Sequence, residues 1–145
     1  MPLTTSQKVA ILNHYYGGPD LTRPATLYIG LSSTTPNAAG GNFTEPVNGG
    51  AFKDGYSRVE VTNNDTNFPT ATSAEPSVKS NGAEIAFAAC ADNAWPEVTH
   101  WGIFVDNTPA TDPVDWALLT TPKTVGVGDV AKFAIGELKT QLQNP

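Results

Sequence analysis

After residue 19 the large apolar residues of this chain recur at every second position, and that period of two restricts the fold more than any other feature. In Thr26-Leu27-Tyr28-Ile29-Gly30-Leu31-Ser32, Leu27, Ile29 and Leu31 share one side. Over residues 98–106, Trp101, Ile103 and Val105 face one way, while His100, Gly102 and Phe104 face the other. Aromatic groups on both faces predict a central strand covered on both sides. Weaker alternation predicts strands over 56–62, 83–88, 116–120, 124–125, 131–135 and 138–142, with turns at Thr121-Pro122 and Gly126-Val127-Gly128-Asp129.

The start of the chain has a different period. Thr4, Thr5 and Ser6 offer capping oxygens, and Val9, Leu12 and Tyr16 recur at steps of three and four before Gly17-Gly18-Pro19 stops the pattern. This predicts one helix over 4–17. It is too short to persist alone in water, so its apolar side is expected to dock on the domain or on a neighbouring copy. Residues 33–54 and 63–81 are rich in Thr, Pro, Asn, Ala and Gly and read as two long loops, a length that in a small domain usually signals contacts or function. The expected architecture is a single domain over 1–145, mainly β: an antiparallel β-sandwich or jelly-roll-like barrel with one short N-terminal helix and long loops.

Composition narrows the partners. Only 15% of the 145 residues are charged and 25 are Gly or Pro (13 and 12), which excludes coiled coils and helical arrays. Three Trp, six Phe and four Tyr supply large groups to bury, which argues against disorder. A net charge of -6 without basic runs repels phosphate backbones and anionic lipid surfaces, so neither nucleic acid nor membrane is expected as a partner. No apolar run approaches the roughly 18–20 residues that span a bilayer. Met1-Pro2-Leu3-Thr4-Thr5 lacks the basic flank and apolar stretch of a signal peptide, so synthesis in the cytoplasm is expected.

The search for chemistry returns little. His14 and His100 fall in no metal-ligand spacing, the acidic residues lack calcium-loop periodicity, and Cys90 sits among alanines with no base nearby. His100 is expected to be a packed strand histidine. Phosphate-binding loops and nucleophile elbows are missing. The expectation is no catalytic residue, no metal and no cofactor. The aromatics Tyr15, Tyr16, Tyr28, Tyr56, Trp95, Trp101 and Trp116 include candidates for a sugar-stacking platform, although most are needed to fill the core.

The order of segments carries more information than any single residue. Pro24-Ala25-Thr26-Leu27-Tyr28-Ile29-Gly30-Leu31-Ser32, Thr34-Thr35-Pro36, Glu45-Pro46, Gly55-Tyr56-Ser57-Arg58-Val59, Phe68-Pro69, Lys79-Ser80-Asn81-Gly82-Ala83-Glu84-Ile85, Val98-Thr99-His100-Trp101-Gly102-Ile103-Phe104 and Leu119-Thr120-Thr121-Pro122-Lys123 follow one another. This series resembles a family of small tailed-bacteriophage virion proteins usually labelled tail fibre proteins, a type related to head decoration or cement proteins. Trp95-Pro96 and residues 107–115 depart from the family's turns. The resemblance implies a non-enzymatic virion structural protein without signature catalytic residues.

A fibre reaching toward a host normally has a shaft of repeats or coiled coil, and none is present. The role expected first is therefore capsid decoration on the head surface, bridging major capsid subunits, with a homotrimer as the unit. The alternative is a tail fibre or receptor-binding domain that touches tail proteins or host-surface glycans. Candidate subunit-contact residues are Val9, Leu12, Tyr15 and Tyr16 on the helix and Phe43, Phe52 and Phe68 in or beside the loops.

Overall fold

A computed structural model describes residues 3–142. Helix α1 (Thr5–Tyr15) precedes strands β1 (Thr26–Ser32), β2 (Val47–Asn48), β3 (Ala51–Phe52), β4 (Val59–Thr62), β5 (Ser77–Ser80), β6 (Ile85–Ala86), β7 (Val98–Phe104), β8 (Asp115–Lys123), β9 (Lys132–Phe133) and β10 (Lys139–Leu142). Four strands form one antiparallel sheet in the order β4-β1-β7-β8, and the rest pair as ribbons: β2 with β3, β5 with β10, β6 with β9. The protein is mainly β and sandwich-like, as its period of two requires.

The register explains the alternation. Leu27 pairs with Val61, Ile29 with Val59 and Ile103, and Leu31 with Trp101, so these residues share the core face of the sheet. A second layer covers that face with Ile85, Phe87, Trp95, Val125, Phe133 and Leu138, all buried. Opposite, Phe104 stacks edge-on with Phe43 at 5.1 Å, and His100 meets Trp116 at 5.8 Å. β7 is thus central and covered on both sides, and only Thr99 in it is not fully buried.

Several boundaries differ from the sequence expectation. The strand predicted to 106 ends at Phe104, and Val105 is exposed. The strands expected over 116–120 and 124–125 are replaced by β8, which runs through Thr121-Pro122. There the register slips, with His100 opposite Leu118 but Val98 opposite Lys123. β8 is an edge strand, so the missing N–H of Pro122 breaks no inner ladder. Residues 33–54 hold the β2–β3 hairpin and residues 63–81 hold β5. Ser77-Val78-Lys79-Ser80 contains one apolar residue, too few to register as alternation.

Residues 33–54 are also anchored more firmly than a loop of that composition suggests. Ser32 Oγ accepts the Thr44 N–H at 2.8 Å, Asn37 Oδ1 accepts the N–H groups of Ala39 and Gly41, and Phe43 fills the space above Gly102. A Cβ on Gly102 would lie 2.6 Å from the Phe43 ring, so glycine is required for this close approach.

Candidate interaction surface

α1 is the element whose side chains are least accounted for by its own domain. Its N-cap residue Thr4 is extended and makes no side-chain cap to the helix. Instead Thr4 is fully buried, and both its N–H and its Oγ1 donate to Val114 O, at 3.2 and 3.1 Å. Thr5 N–H donates to Ala38 O at 2.9 Å. At the other end Tyr16 N–H returns to Leu12 O, Gly17 takes φ of 85°, and Gly18 N–H closes on Asn13 O. His14 Nδ1 accepts the Leu21 N–H and lies 3.5 Å from Asp20.

The helix is therefore tethered at its start and closed at its end, but it buries none of its residues. Gln7, Ala10, Ile11 and His14 are half-buried, while Val9 (50%), Leu12 (58%), Tyr15 (73%) and Tyr16 (81%) are open to solvent. The spacing of Val9 and Leu12 puts them on one face, and Tyr16 follows at the non-helical C-cap. Eleven residues of helix gain too little from their own hydrogen bonds to persist in water, so α1 depends on its tethers at Thr4 and Thr5 while these large side chains stay exposed.

The three phenylalanines grouped with these residues by sequence lie elsewhere. Phe68 is buried among core residues and so is not offered to a neighbour, a correction to its reading as a subunit contact. Phe52 is half-buried against Tyr56, with ring centroids 5.4 Å apart, and Phe43 packs on Phe104. The sugar-stacking candidates are reduced likewise. Trp95, Trp101 and Tyr56 are core residues, and the fully exposed aromatics among the described residues are Tyr15 and Tyr16.

Sequence reasoning missed a buried ionic clamp. Arg58, with no side-chain exposure, donates from Nε to Glu45 Oε1 (3.0 Å) and from Nη2 to Glu45 Oε2 (2.8 Å). Its Nη1 reaches Asp106 O and Thr111 Oγ1, and its guanidinium lies 3.3 Å from the centre of the Phe104 ring. Tyr56 OH donates to Glu45 Oε1 at 2.6 Å and accepts the Leu31 N–H, and burial together with the Glu45 charge pushes its pKa well up. The clamp ties residues 33–54 and 106–111 to β1. A lone Glu and Arg 13 positions apart carry no sequence signal for such a pair.

Sequence reasoning also missed a cleft of about 670 Å³ between β8 and the segment carrying β9. Its floor is apolar, with Trp101, Val98 and Phe87, and its rim carries Lys123, Lys132 and Lys139. Asp129 and Glu137 border it, but their carboxylates accept the N–H groups of Gly126 and Ala134 and so form turns.

The remaining titratable groups are structural in their contacts. His100 is buried beside Thr99 Oγ1, 2.7 Å from Nδ1, and burial lowers its pKa, favouring the neutral ring. Asp115 is buried and accepts from Thr140 Oγ1 and the Trp116 N–H; burial raises its pKa. Cys90 is buried beside Asn93 O. Among the described residues no three His, Cys, Asp or Glu side chains converge on a point where a metal ion could sit, and no helix is long and apolar enough to cross a membrane.

The family described as podophage GP4 fiber I protein gp80 matches residues 2–141. The chain belongs to this family. No curated protein matches it. As a fibre I family member it is a structural protein of the bacteriophage virion, in agreement with the resemblance read from its segments. The match spans α1, every strand of the four-stranded sheet and the anchored 33–54 segment.

Proposed function

We propose that this chain is a non-enzymatic building block of a virion fibre, a β-module joined to other fibre subunits through the exposed face of α1. The observation that carries this reading is fibre I family membership, beside the exposed apolar side chains of α1 and its C-cap. Val9, Leu12, Tyr15 and Tyr16 supply the exposed apolar surface for that association, with a homotrimer as the stoichiometry to be tested.

Head decoration, expected first from the missing shaft, makes the opposite prediction about place and number. Antibody labelling of purified virions in the electron microscope, together with the band intensity relative to the major capsid protein, separates the two. Label confined to the tail vertex, in tens of copies, supports the fibre reading. Label spread over the whole head in hundreds of copies would overturn it. Leu12→Asp with Tyr16→Asp should leave the fold intact, because both side chains are exposed, and should strip the protein from the particle.

A further inference from the structure

The chain contains two Asn-Gly dipeptides, Asn48-Gly49 and Asn81-Gly82, in opposite surroundings. We propose that Asn48 is a site of spontaneous deamidation in the folded protein and that Asn81 is protected by the fold. In this reaction the backbone nitrogen of the glycine loses its proton and attacks the side-chain Cγ of the asparagine. A C–N bond forms, the side-chain amide leaves as ammonia, and a five-membered succinimide results. Water then adds to either ring carbonyl, and the ring opens to aspartate or isoaspartate. One water is consumed, one ammonia is released and nothing is oxidised. The reaction needs a carboxamide free to turn, a glycine nitrogen free of hydrogen bonds, and open space around both.

Asn48 meets each requirement. It ends β2 opposite Ala51, and Gly49 and Gly50 close the hairpin with φ of 60° and 81°. Two positive φ values in a two-residue loop are the type I′ geometry, for which glycine is suited. A Cβ built on either glycine would touch nothing within 4 Å, so the tip stands clear of the domain. Asn48 is exposed, and among the described residues neither its carboxamide nor the Gly49 N–H has a hydrogen-bond partner. Strands of two residues hold such a tip weakly, so the backbone rotation that brings nitrogen to carbon is accessible.

Asn81 meets none of them. Its Nδ2 donates to Ala83 O (2.8 Å) and Ala134 O (2.9 Å), and its Oδ1 accepts the Leu138 N–H (2.9 Å). The side chain is buried. The nucleophile is locked too: Gly82 N–H donates to Asn67 O at 2.7 Å, and a Cβ on Gly82 would lie 2.3 Å from Thr66 O. Attack at Asn81 requires the local structure to open first.

The consequence is a slow gain of one negative charge at the hairpin tip, on a chain that starts at -6. The full-length protein, folded and in urea, is incubated at mildly alkaline pH and analysed by peptide mass mapping and isoelectric focusing over time. In the folded protein the amide-to-acid mass gain and the isoaspartate should appear at Asn48 at least about tenfold faster than at Asn81, and in urea the two rates should converge. Asn48→Gln should abolish the more acidic band that the native chain develops. Equal rates at the two sites in the folded protein would overturn the proposal, as would an unmodified Asn48 after the unfolded chain has reacted at both sites. Persistence of the acidic band in the Asn48→Gln protein would overturn it as well.

Discussion

Glu45→Ala should be among the most destabilising single changes available in this domain. Glu45 and Arg58 are 3% and 0% exposed at their side chains, and the carboxylate takes two hydrogen bonds from the guanidinium and one from Tyr56. Removing it leaves a guanidinium inside the protein with Asp106, 3.4 Å away and 44% exposed, as its nearest acid. Breaking one side of a buried pair costs about 3–5 kcal/mol, most of it the penalty for the stranded charge. For a chain of this size that lowers the melting temperature by about 10–15 °C. Urea unfolding followed by the fluorescence of buried Trp95 and Trp101 measures it. Arg58→Met should cost a similar amount, and the double variant should fall well short of the sum, because neither charge is then left alone. The coupling between the two positions should exceed about 2 kcal/mol. A loss below about 1 kcal/mol for Glu45→Ala, or additive single and double variants, would refute the clamp as the tie between residues 33–54 and the sheet.

Three further outcomes follow from the same geometry. Asp115 has its pKa raised by burial, so the folded state holds its proton more tightly than the unfolded state does. The stability this supplies is full below the unfolded pKa and is lost as pH rises through the folded one. Asp115→Asn should therefore gain on the native chain as pH rises from strongly acidic toward neutral, as read by urea midpoints across pH; a pH-independent difference would contradict it. His100, with its pKa lowered by burial, gives the opposite slope, and His100→Gln should remove part of the stability lost as pH falls from about 6.5, the ordinary histidine value, seen as a flatter melting curve against pH. Gly102→Ala forces a methyl against Phe43 and should cost about 1–3 kcal/mol by overpacking, measured by calorimetry, whereas Gly49→Ala meets only the strain of a positive φ.

Strand β1 and central strand β7 were legible in the sequence because their alternation is produced by a buried face, and the residues that alternate, Ile29, Leu31, Trp101 and Ile103, are the ones that pair across the sheet. β5 and the β2–β3 hairpin were not legible. Their segments are only two to four residues long, too short to display a period, and only three-dimensional proximity to β10, or the turn at Gly49-Gly50, selects the pairing. The candidate contact residues divide in the same way. Val9, Leu12 and Tyr15 lie on one helix with Tyr16 at its C-cap, a run that the sequence displays, whereas the turn that closes Phe68 N–H on Asn64 O and places Phe68 in the core leaves no periodic trace. Glu45 and Arg58 illustrate the third case, a pair made adjacent entirely by the path of the chain.

Association through α1 carries a signature in its dependence on salt. Copies of a chain with net charge -6 repel each other, yet residues 1–19 contain no carboxylate side chain and include Lys8 and His14. In the proposed contact this segment meets its copy with little like-charge repulsion of its own, the adjacent acid Asp20 lying beside His14, and the attraction is apolar, from Val9, Leu12, Tyr15 and Tyr16. Raising ionic strength from about 0.01 M to about 1 M shortens the screening length from roughly 30 Å to roughly 3 Å and removes the residual repulsion between the bodies of the copies. Apolar burial is not weakened by that screening. Sedimentation velocity should therefore show association of the purified protein that strengthens with salt and disappears in Leu12→Asp with Tyr16→Asp. Association that weakens steeply with salt would instead require charge pairing between copies, through the lysines at the cleft rim, and would remove α1 as the seam between subunits.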